Sequence, residues 1–467
     1  MPTKHIKQTR QVMAIPNLEN VSLIEKLRFL PFVTFLFVGI GLLWPWNNIL
    51  SATLYFQNNL FQSTTIYAKI FTSSMMTIST VTSLFFNIYL SNRQHSYNQR
   101  VTRGLIWQIS TFIALTLLSF ITTTVKDIPM WLTFALIMCL VGVSAISTAL
   151  TQNGIMAIAN VFGSQFSQSV MLGQAVAGVL PSIVLFFVAL INKGGNSEDN
   201  EDETMNSGGI LFYFMTTAFV CLASIGLYRV TNINDMLMSM TSDLEYALTE
   251  DHALISPPTQ SSNTVEEEEE IEEAGNLLLP LKESTVPLPL LYEKLKYLVL
   301  SIFSTFVVTL IFPVFAATVR VSKLPLANTQ YIPLVFTVWN IGDLYGRVLA
   351  DLPVFRHQKF TPKMTFIYSL SRIICIPFFF YFTVKSITQH AHSLWLDCFY
   401  IILQFIFGVT NGHVISISFM KVPEQLDTDE EKEAAGGLTS VFVSVGLAVG
   451  SLVSYIFVAM ISGLEKV

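Results

Sequence analysis

Three polar side chains with matched spacing lie in one hydrophobic stretch of the sequence, PLVFTVWNIGDLYGRVLAD. Asn340, Asp343 and Arg347 are three and then four residues apart, which places them on one face of a helix. Ionisable groups within a bilayer are costly and usually functional, and pairing Asp343 with Arg347 removes much of that cost. A carboxylate accepts hydrogen bonds from hydroxyl groups and a guanidinium donates them, so the pair suits a polyhydroxylated solute. The alternative is a structural ion pair that holds two helices together.

A second group of polar side chains surrounds a proline in the stretch GIGLLWPWNNILSATLYF. Pro45 removes a backbone hydrogen bond and is predicted to bend its helix. Trp46 offers a flat face with one N–H group, and Asn47 supplies donors and acceptors that need partners. We therefore predict that Trp46 and Asn47 line a solute pathway. An aromatic belt at the membrane interface is the alternative, and it is the preferred interpretation for Trp44.

Other polar residues in hydrophobic stretches have structural interpretations. Gln152, in the stretch LTQNG, either contacts a solute or forms an interhelical hydrogen bond. Arg372 is predicted to extend to the membrane interface, and His413 is predicted to be satisfied by local partners. Gly173 and Ala177 are four residues apart and favour close packing of helices.

The composition indicates which kind of molecule positions these residues. Of 467 residues, 52% are hydrophobic and 12% are charged, and the mean hydropathy is +0.55. A soluble domain carries about twice that fraction of charge. Many continuous apolar stretches approach the roughly 18 to 20 residues that cross a bilayer as a helix. We therefore predict a polytopic all-α membrane protein rather than a β-barrel, whose strands would alternate in polarity.

Sequence signatures of enzymes and metal sites are missing. The chain contains no HExxH, GxxxxGK[ST] or GxSxG sequence, and no GxGxxG follows a predicted strand. The four cysteines lie in or beside apolar stretches and are predicted to pack, not to bind metal or form disulfides. No basic stripe suited to nucleic acid is present. We predict a protein that is not an enzyme, uses no cofactor and binds no nucleic acid.

Eleven membrane spans are predicted, in a six-plus-five arrangement. The connection at about 229–294 is rich in Ser, Thr and Pro, contains the run Glu266–Glu270, and is predicted to be disordered in the cytosol. It separates a six-helix bundle, residues 29–228, from a five-helix bundle, residues 295–461. By analogy, two pseudo-symmetric bundles would move against each other. The spans are predicted at about 29–51, 67–90, 104–125, 131–158, 167–191, 209–228, 295–318, 331–350, 364–384, 394–416 and 437–461.

Lysine and arginine in the short loops predict the orientation of the spans. The N-terminal segment, residues 1–28, carries five of them, and the loops after the second and eighth spans carry three each. The alternate loops are poorer in these residues. The N-terminus and the long acidic loop are therefore predicted to face the cytosol, and the C-terminal tail, residues 462–467, the opposite side.

Several motifs together resemble one protein family. The motifs of the equilibrative nucleoside transporters occur here in order as GIGLLWPWN, ATLYF, LTQNG, GQAVAG, WNIGDLYGR, TNGH and EAAGG…GLAVG. The chain is most similar to the fungal vacuolar members of this family in the stretches FTSSMMT, TQNGIMAIANVFGS, VTNGHVIS and MKVPEQLD. The likeness covers nearly the whole membrane portion, and PWN and DxxxR are its specific elements. It implies a major-facilitator-like bundle of eleven helices, divided six plus five, with a cytosolic N-terminus.

The resemblance also implies roles for ten residues. The family's tryptophan and asparagine in the first span fall on Trp46 and Asn47, and a glutamine that contacts the nucleobase falls on Gln152. The aspartate and arginine that hold the ribose hydroxyls fall on Asp343 and Arg347. Five further positions are expected to line the cavity: Asn340, Phe336, Phe312, Thr80 and Ser83. At the positions of Thr80 and Ser83, animal members carry larger apolar residues.

The activity implied by the resemblance is facilitative transport by alternating access of purine and pyrimidine nucleosides (adenosine, uridine, guanosine, cytidine) and sometimes of nucleobases. Proton-coupled transport, a carrier of another small polar solute and a receptor that binds without transport are the alternatives. With the fungal resemblance, three acidic-dileucine patterns favour a vacuolar membrane and the binding of sorting adaptors. They are Glu19-xxx-Leu23-Ile24, Glu250-xxx-Leu254-Ile255 and Glu273-xxx-Leu277-Leu278.

Overall fold

The chain folds into long helices, numbered here α1 to α11 in chain order. The computed structural model describes residues 18–62, 64–125, 128–191, 207–231, 285–356, 360–388 and 394–464, and these ranges contain no strand. The helices are α1 (Leu18–Ser51), α2 (Ile66–Ser91), α3 (Tyr97–Thr124), α4 (Met130–Phe162), α5 (Ser164–Ile191), α6 (Ser207–Val230), α7 (Leu288–Thr309 and Phe312–Thr318), α8 (Asn328–Leu349), α9 (Pro362–Ser371, Arg372–Ile374 and Cys375–Thr388), α10 (Leu394–Met420) and α11 (Asp429–Leu464).

Most of these helices have the length and composition of membrane spans. In the described ranges, nine are long and apolar enough to cross a membrane. The helices α2 and α8 are not among them, because α2 carries a run of Ser and Thr between Thr72 and Ser83 and α8 carries the polar residues introduced above. The all-α membrane class is confirmed, whereas the number of eleven spans stays a prediction.

Several helix boundaries differ from the predicted spans. The helix α1 continues through Pro45 without interruption, and α11 begins at Asp429 instead of 437. Its first turn is acidic, which is favourable at the positive end of a helix dipole even though such residues lower the local hydropathy. Predictions for residues 1–17, 232–284 and 465–467 lie outside the described residues, as do two of the three acidic-dileucine patterns.

The helices form two groups that meet along two seams. In the N-terminal half, α1 packs on α5 and α6, and α4 packs on α2 and α3. In the C-terminal half, α8 packs on α10, while α7 packs on α9, α10 and α11. The halves meet where α5 contacts α8 and α10, and where α11 contacts α2 and α4. Any site that involves both halves must therefore lie beside α5 or α11.

One end of the bundle is closed by direct packing between the halves. A Cβ atom added to Gly436 would lie 2.4 Å from the backbone nitrogen of Ala157, so α11 touches the backbone of α4. Asn160 Nδ2 donates to the carbonyl of Lys432 at 3.1 Å. Around it, buried apolar side chains of both halves form one continuous cluster. We name this end, where α2 and α4 end and α11 begins, the packed end.

Candidate functional site

An ion pair on α8 forms the centre of the candidate site. Arg347 Nε donates to Asp343 Oδ2 at 2.9 Å, one helical turn away. Asp343 is 5% exposed and Arg347 is 7% exposed, so both charges are largely removed from solvent. The pairing predicted from the four-residue spacing is confirmed.

Partners on two neighbouring helices hold this ion pair in place. Asn411 Nδ2, on α10, donates to the second carboxylate oxygen of Asp343 at 2.6 Å. Arg347 Nη1 donates to the backbone carbonyl of Met171, on α5, at 2.6 Å. Gln168, also on α5, donates to the backbone carbonyl of Arg347. In this conformation the pair connects the two halves, so a solute that binds Arg347 must compete with a carbonyl of the opposite half.

Glycines bring α8 and α10 close enough for Asn411 to reach Asp343. A Cβ atom added to Gly412 would lie 1.9 Å from the carbonyl oxygen of Asp343, and one added to Gly346 would lie 2.0 Å from that of Val409. Side chains do not approach backbone atoms so closely, so both positions require the absence of a Cβ atom. The helix crossing therefore depends on these glycines.

Replacing Gly412 with alanine is expected to destabilise the protein, because α10 must move away from α8 to make room for the methyl group. The loss of folding stability should be on the order of 2 kcal/mol, as for other overpacked cores. Thermal unfolding of the detergent-purified protein measures it. Gly226→Ala is the matched control, since a Cβ atom there meets nothing within 4 Å. Equal midpoints for Gly412→Ala and the wild type would contradict this prediction.

A chain of hydrogen bonds continues from Asp343 to a second arginine. Thr309 Oγ1 lies 2.5 Å from Asn411 Oδ1, and Arg372 Nη2 lies 3.3 Å from the same hydroxyl. Arg372 is 2% exposed, and its guanidinium carbon lies 4.6 Å from the ring centroid of Phe407. The prediction that Arg372 extends to the membrane interface is wrong, because the 3₁₀ turn Arg372–Ile374 interrupts α9 and the side chain points into the bundle.

Aromatic rings line the α7–α8 side of the site. Phe312 begins the second part of α7, directly after the break in that helix, and is 2% exposed. Its ring stacks on Trp339 with centroids 4.9 Å apart and meets Phe336 edge-on at 5.2 Å. Among the described residues, Trp339 Nε1 is buried without a hydrogen-bond partner. The structure thus brings Phe312 and Phe336 together, and adds Trp339, which the sequence analysis did not select.

Residues of α1 and α8 approach each other across α5. Asn47 Nδ2 donates to the carbonyl of Ala177 at 2.8 Å. A Cβ atom added to the next residue, Gly178, would lie 2.8 Å from Asn340 Oδ1. One turn earlier on α5, the amide nitrogen of Gln174 is buried and has no partner among the described residues. Asn47 and Asn340 therefore flank the same short segment of α5.

The remaining candidate residues lie on the N-terminal half. Trp46 packs against the apolar cluster around Phe56, and Gln152 on α4 is half-buried. Thr80 and Ser83 are half-buried on α2 and form no side-chain hydrogen bond to another described residue. Nothing in the described contacts joins these four side chains to Asp343. Their role in binding stays a prediction.

Two secondary predictions concern residues outside this cluster. His413 Nδ1 lies 3.2 Å from the hydroxyl of Tyr368, and its ring packs on Phe355. Its Nε2 atom is buried and has no hydrogen-bond partner among the described residues, so the predicted local satisfaction holds for one ring nitrogen only. The close packing predicted for Gly173 is also confirmed, since a Cβ atom there would lie 2.1 Å from the carbonyl of Leu36.

The fold is that of transporters of the major facilitator superfamily. The structure is similar to that of the proton:xylose symporter XylE, with a TM-score of 0.57 at 15% identity over 94% of this chain and 89% of that one. It is also similar to FucP in the outward conformation, with a TM-score of 0.52 at 12% identity over 94% of each chain.

Sequence comparison defines the family within this class. A profile of the family described as Nucleoside transporter matches residues 136–459. The chain is 50% identical to Nucleoside transporter FUN26 of Saccharomyces cerevisiae, over 97% of this chain and 89% of that protein. It is 22% identical to Equilibrative nucleoside transporter 2 of Homo sapiens, over 92% and 97% of the two chains. The chain belongs to the nucleoside transporter family, which confirms the resemblance found in the sequence, and it is a transporter, not an enzyme.

Proposed function

We propose that the protein carries nucleosides across a membrane by facilitative transport, with Asp343 and Arg347 as the residues that bind the ribose. The observation that supports this most strongly is the buried Asp343–Arg347–Asn411 cluster beside the seam between the halves, in a member of the nucleoside transporter family. A carboxylate and a guanidinium together accept from and donate to vicinal hydroxyls, which a ribose presents.

The surrounding groups suit the rest of a nucleoside. Phe336 and Trp339 are half-buried and keep some aromatic surface for a base, whereas Phe312 is buried against both rings. The partnerless N–H groups of Trp339 and Gln174 are buried donors, and buried donors are normally satisfied. A bound nucleoside would satisfy them through its ring nitrogens and carbonyl oxygens. In this proposal Gln152 contacts the base from α4, and Trp46 covers one of its faces.

The two-seam architecture supports alternating access, in which the two halves separate first at one end of the bundle and then at the other. We assign the packed end to the cytosol, because the Lys and Arg distribution predicts that α2 and α4 end on that side. In this proposal the structure is closed to the cytosol, and a nucleoside would enter from the opposite side once the α5–α8 contacts at that end, such as Gln330 to the Ala189 carbonyl, have opened. With the vacuolar location favoured by the sequence, that side is the vacuolar lumen, and the task is export of nucleosides to the cytosol.

Uptake into liposomes that contain the purified protein tests this function. We expect uptake of tritiated uridine and adenosine, accelerated when the liposomes are preloaded with unlabelled nucleoside, because a carrier exchanges its substrate. Xylose and amino acids should not compete. The same liposomes with an imposed pH gradient test coupling, and we expect no accumulation above equilibrium.

Three outcomes would contradict parts of the proposal. Inhibition by sugars but not by nucleosides would show a different solute class. Binding without counterflow would indicate a receptor. Accumulation driven by the pH gradient would establish proton coupling.

A further inference from the structure

The second buried arginine, Arg372, has no role in the proposed binding of ribose, yet it is joined to the site. Among the described residues, no carboxylate lies within ion-pair distance of its guanidinium, and its Nε atom has no hydrogen-bond partner. A buried charge without a counter-ion is costly. Its cost is reduced by the carbonyl of Thr305 at 3.2 Å, the Thr309 hydroxyl and the ring of Phe407. Such an arrangement needs a functional reason.

The direction of the hydrogen bonds between Arg372 and Asp343 is fixed by chemistry. A carboxylate only accepts, so Asn411 must present its Nδ2 to Asp343, at 2.6 Å. Its Oδ1 then faces Thr309 at 2.5 Å, and in the series the single proton of the Thr309 hydroxyl goes to this oxygen. The competing acceptor, the carbonyl of Thr305 at 2.6 Å on the same helix, already accepts from Arg372. The oxygen of Thr309 is left to accept from Arg372, which can only donate. Every donor in the series therefore points towards Asp343.

The series also places two positive charges around one negative charge. Arg347 contacts one oxygen of Asp343 directly, and Arg372 acts on the other through Thr309 and Asn411. When Arg347 turns to a solute, Asp343 loses its direct partner at Oδ2. The series from Arg372 would stay in place, because it ends at the other carboxylate oxygen, Oδ1. Other titratable groups that face this region are Cys375 on α9, close to Arg372, and His413 on α10 with Tyr368 on α9, which bond to each other.

We propose that Arg372 is a positioning residue for nucleoside binding, which orients Asn411 through Thr309 and balances the charge of Asp343 while Arg347 holds the solute. This inference rests on the proposed function. The series starts at Arg372 on α9 and passes through Thr309, the last residue before the break in α7. The proposal predicts that Arg372, which does not contact the solute directly, controls the affinity for the solute.

Arg372→Met tests the proposal, because it removes the charge, keeps an apolar stem of similar length and relieves a buried charge. We expect the KM for uridine, and the Kd for tritiated uridine on the purified protein, to rise about tenfold, as for the loss of a hydrogen bond to a charged group. The maximal rate and the thermal unfolding midpoint should change little. Arg372→Lys should restore most of the affinity because it keeps the charge.

A double-mutant cycle separates positioning from packing. Thr309→Val breaks the series at its middle and should raise KM as much as Arg372→Met does. The double variant should be no worse than either single variant, since each removes the same connection. Thr365→Val is the matched control on α9, because its buried hydroxyl bonds only to its own helix, at Thr361. It should leave KM unchanged.

Several outcomes would overturn this inference. They are a wild-type KM in Arg372→Met or Thr309→Val, or additive effects in the double variant. If Arg372→Met does not fold, the KM of Thr309→Val decides. Asp343→Ala in the same liposomes keeps the two proposals apart. If that variant transports normally, the proposed binding site is wrong. If it is inactive while Thr309→Val behaves as the wild type, only the role of Arg372 is rejected.

Discussion

Replacing Asp343 with alanine should abolish uptake of uridine and adenosine into liposomes. The substitution removes the acceptor for ribose hydroxyls and leaves Arg347 without its partner at 2.9 Å. Hydrogen bonds to charged groups contribute about 1.5–3 kcal/mol each, so the loss of two reduces uptake about a hundredfold or more. Initial rates of tritiated nucleoside uptake measure this effect.

Asp343→Asn is the companion variant, because the alanine variant leaves a buried arginine unpaired and loses stability for that reason. The asparagine keeps the shape of the side chain and can still accept from Asn411. The amide has only one acceptor oxygen, so either Asn411 or Arg347 loses its partner. We expect an unfolding midpoint between those of the alanine variant and the wild type, and slow transport, since the negative charge is gone. Near-normal uptake by a well-folded Asp343→Asn protein would remove the carboxylate from the mechanism.

A disulfide introduced by combining Ser91→Cys with Gly437→Cys should stop transport reversibly. A Cβ atom on Gly437 would lie 3.3 Å from the Cβ atom of Ser91, close to the separation of about 3.8 Å that a disulfide needs. The bond would join α2 to α11 and hold the packed end closed. Uptake should fall to background under oxidising conditions and recover after dithiothreitol.

Controls for this experiment use the other cysteines of the chain and a second engineered pair. Cys139 is exposed and should be replaced to prevent mispairing. The pair Thr34→Cys with Thr231→Cys, at positions whose hydroxyls are 2.5 Å apart, joins α1 to α6 within one half. That disulfide should leave transport intact, because the halves can still separate. Full uptake by a protein in which the α2–α11 disulfide has formed quantitatively would exclude opening at the packed end.

Local spacing predicted the parts of the site that lie on one helix. Asp343 and Arg347 pair because a four-residue separation brings side chains together in any helix. Their partners Asn411 and Met171 come from α10 and α5, and the sequence did not indicate which helices would be adjacent. The pairs Gly342 with Gly346 and Gly408 with Gly412 were the available signal, since small residues four apart on one helix often mark a helix crossing.

Backbone breaks explain the residues that were placed wrongly or missed. A continuous ninth helix would carry Arg372 towards the interface, but the 3₁₀ turn redirects it to Thr309. The break after Thr309 positions Phe312 against Trp339, a contact that periodicity does not predict. The helices α2 and α8 were predicted as spans, but their polar residues keep them outside the nine described helices that are long and apolar enough to cross a membrane.

The hydrogen bond from Arg347 to the Met171 carbonyl has a consequence for the timing of transport. One guanidinium is shared between a carboxylate of its own half and the main chain of the other half. A ribose oxygen that occupied the Met171 position would take over that bond and remove one of the hydrogen bonds between α5 and α8, while those of Gln168 and Thr337 remain. Binding of the ribose would then weaken the contact between the halves at the same time, and a carrier with bound nucleoside would change conformation faster than an empty one.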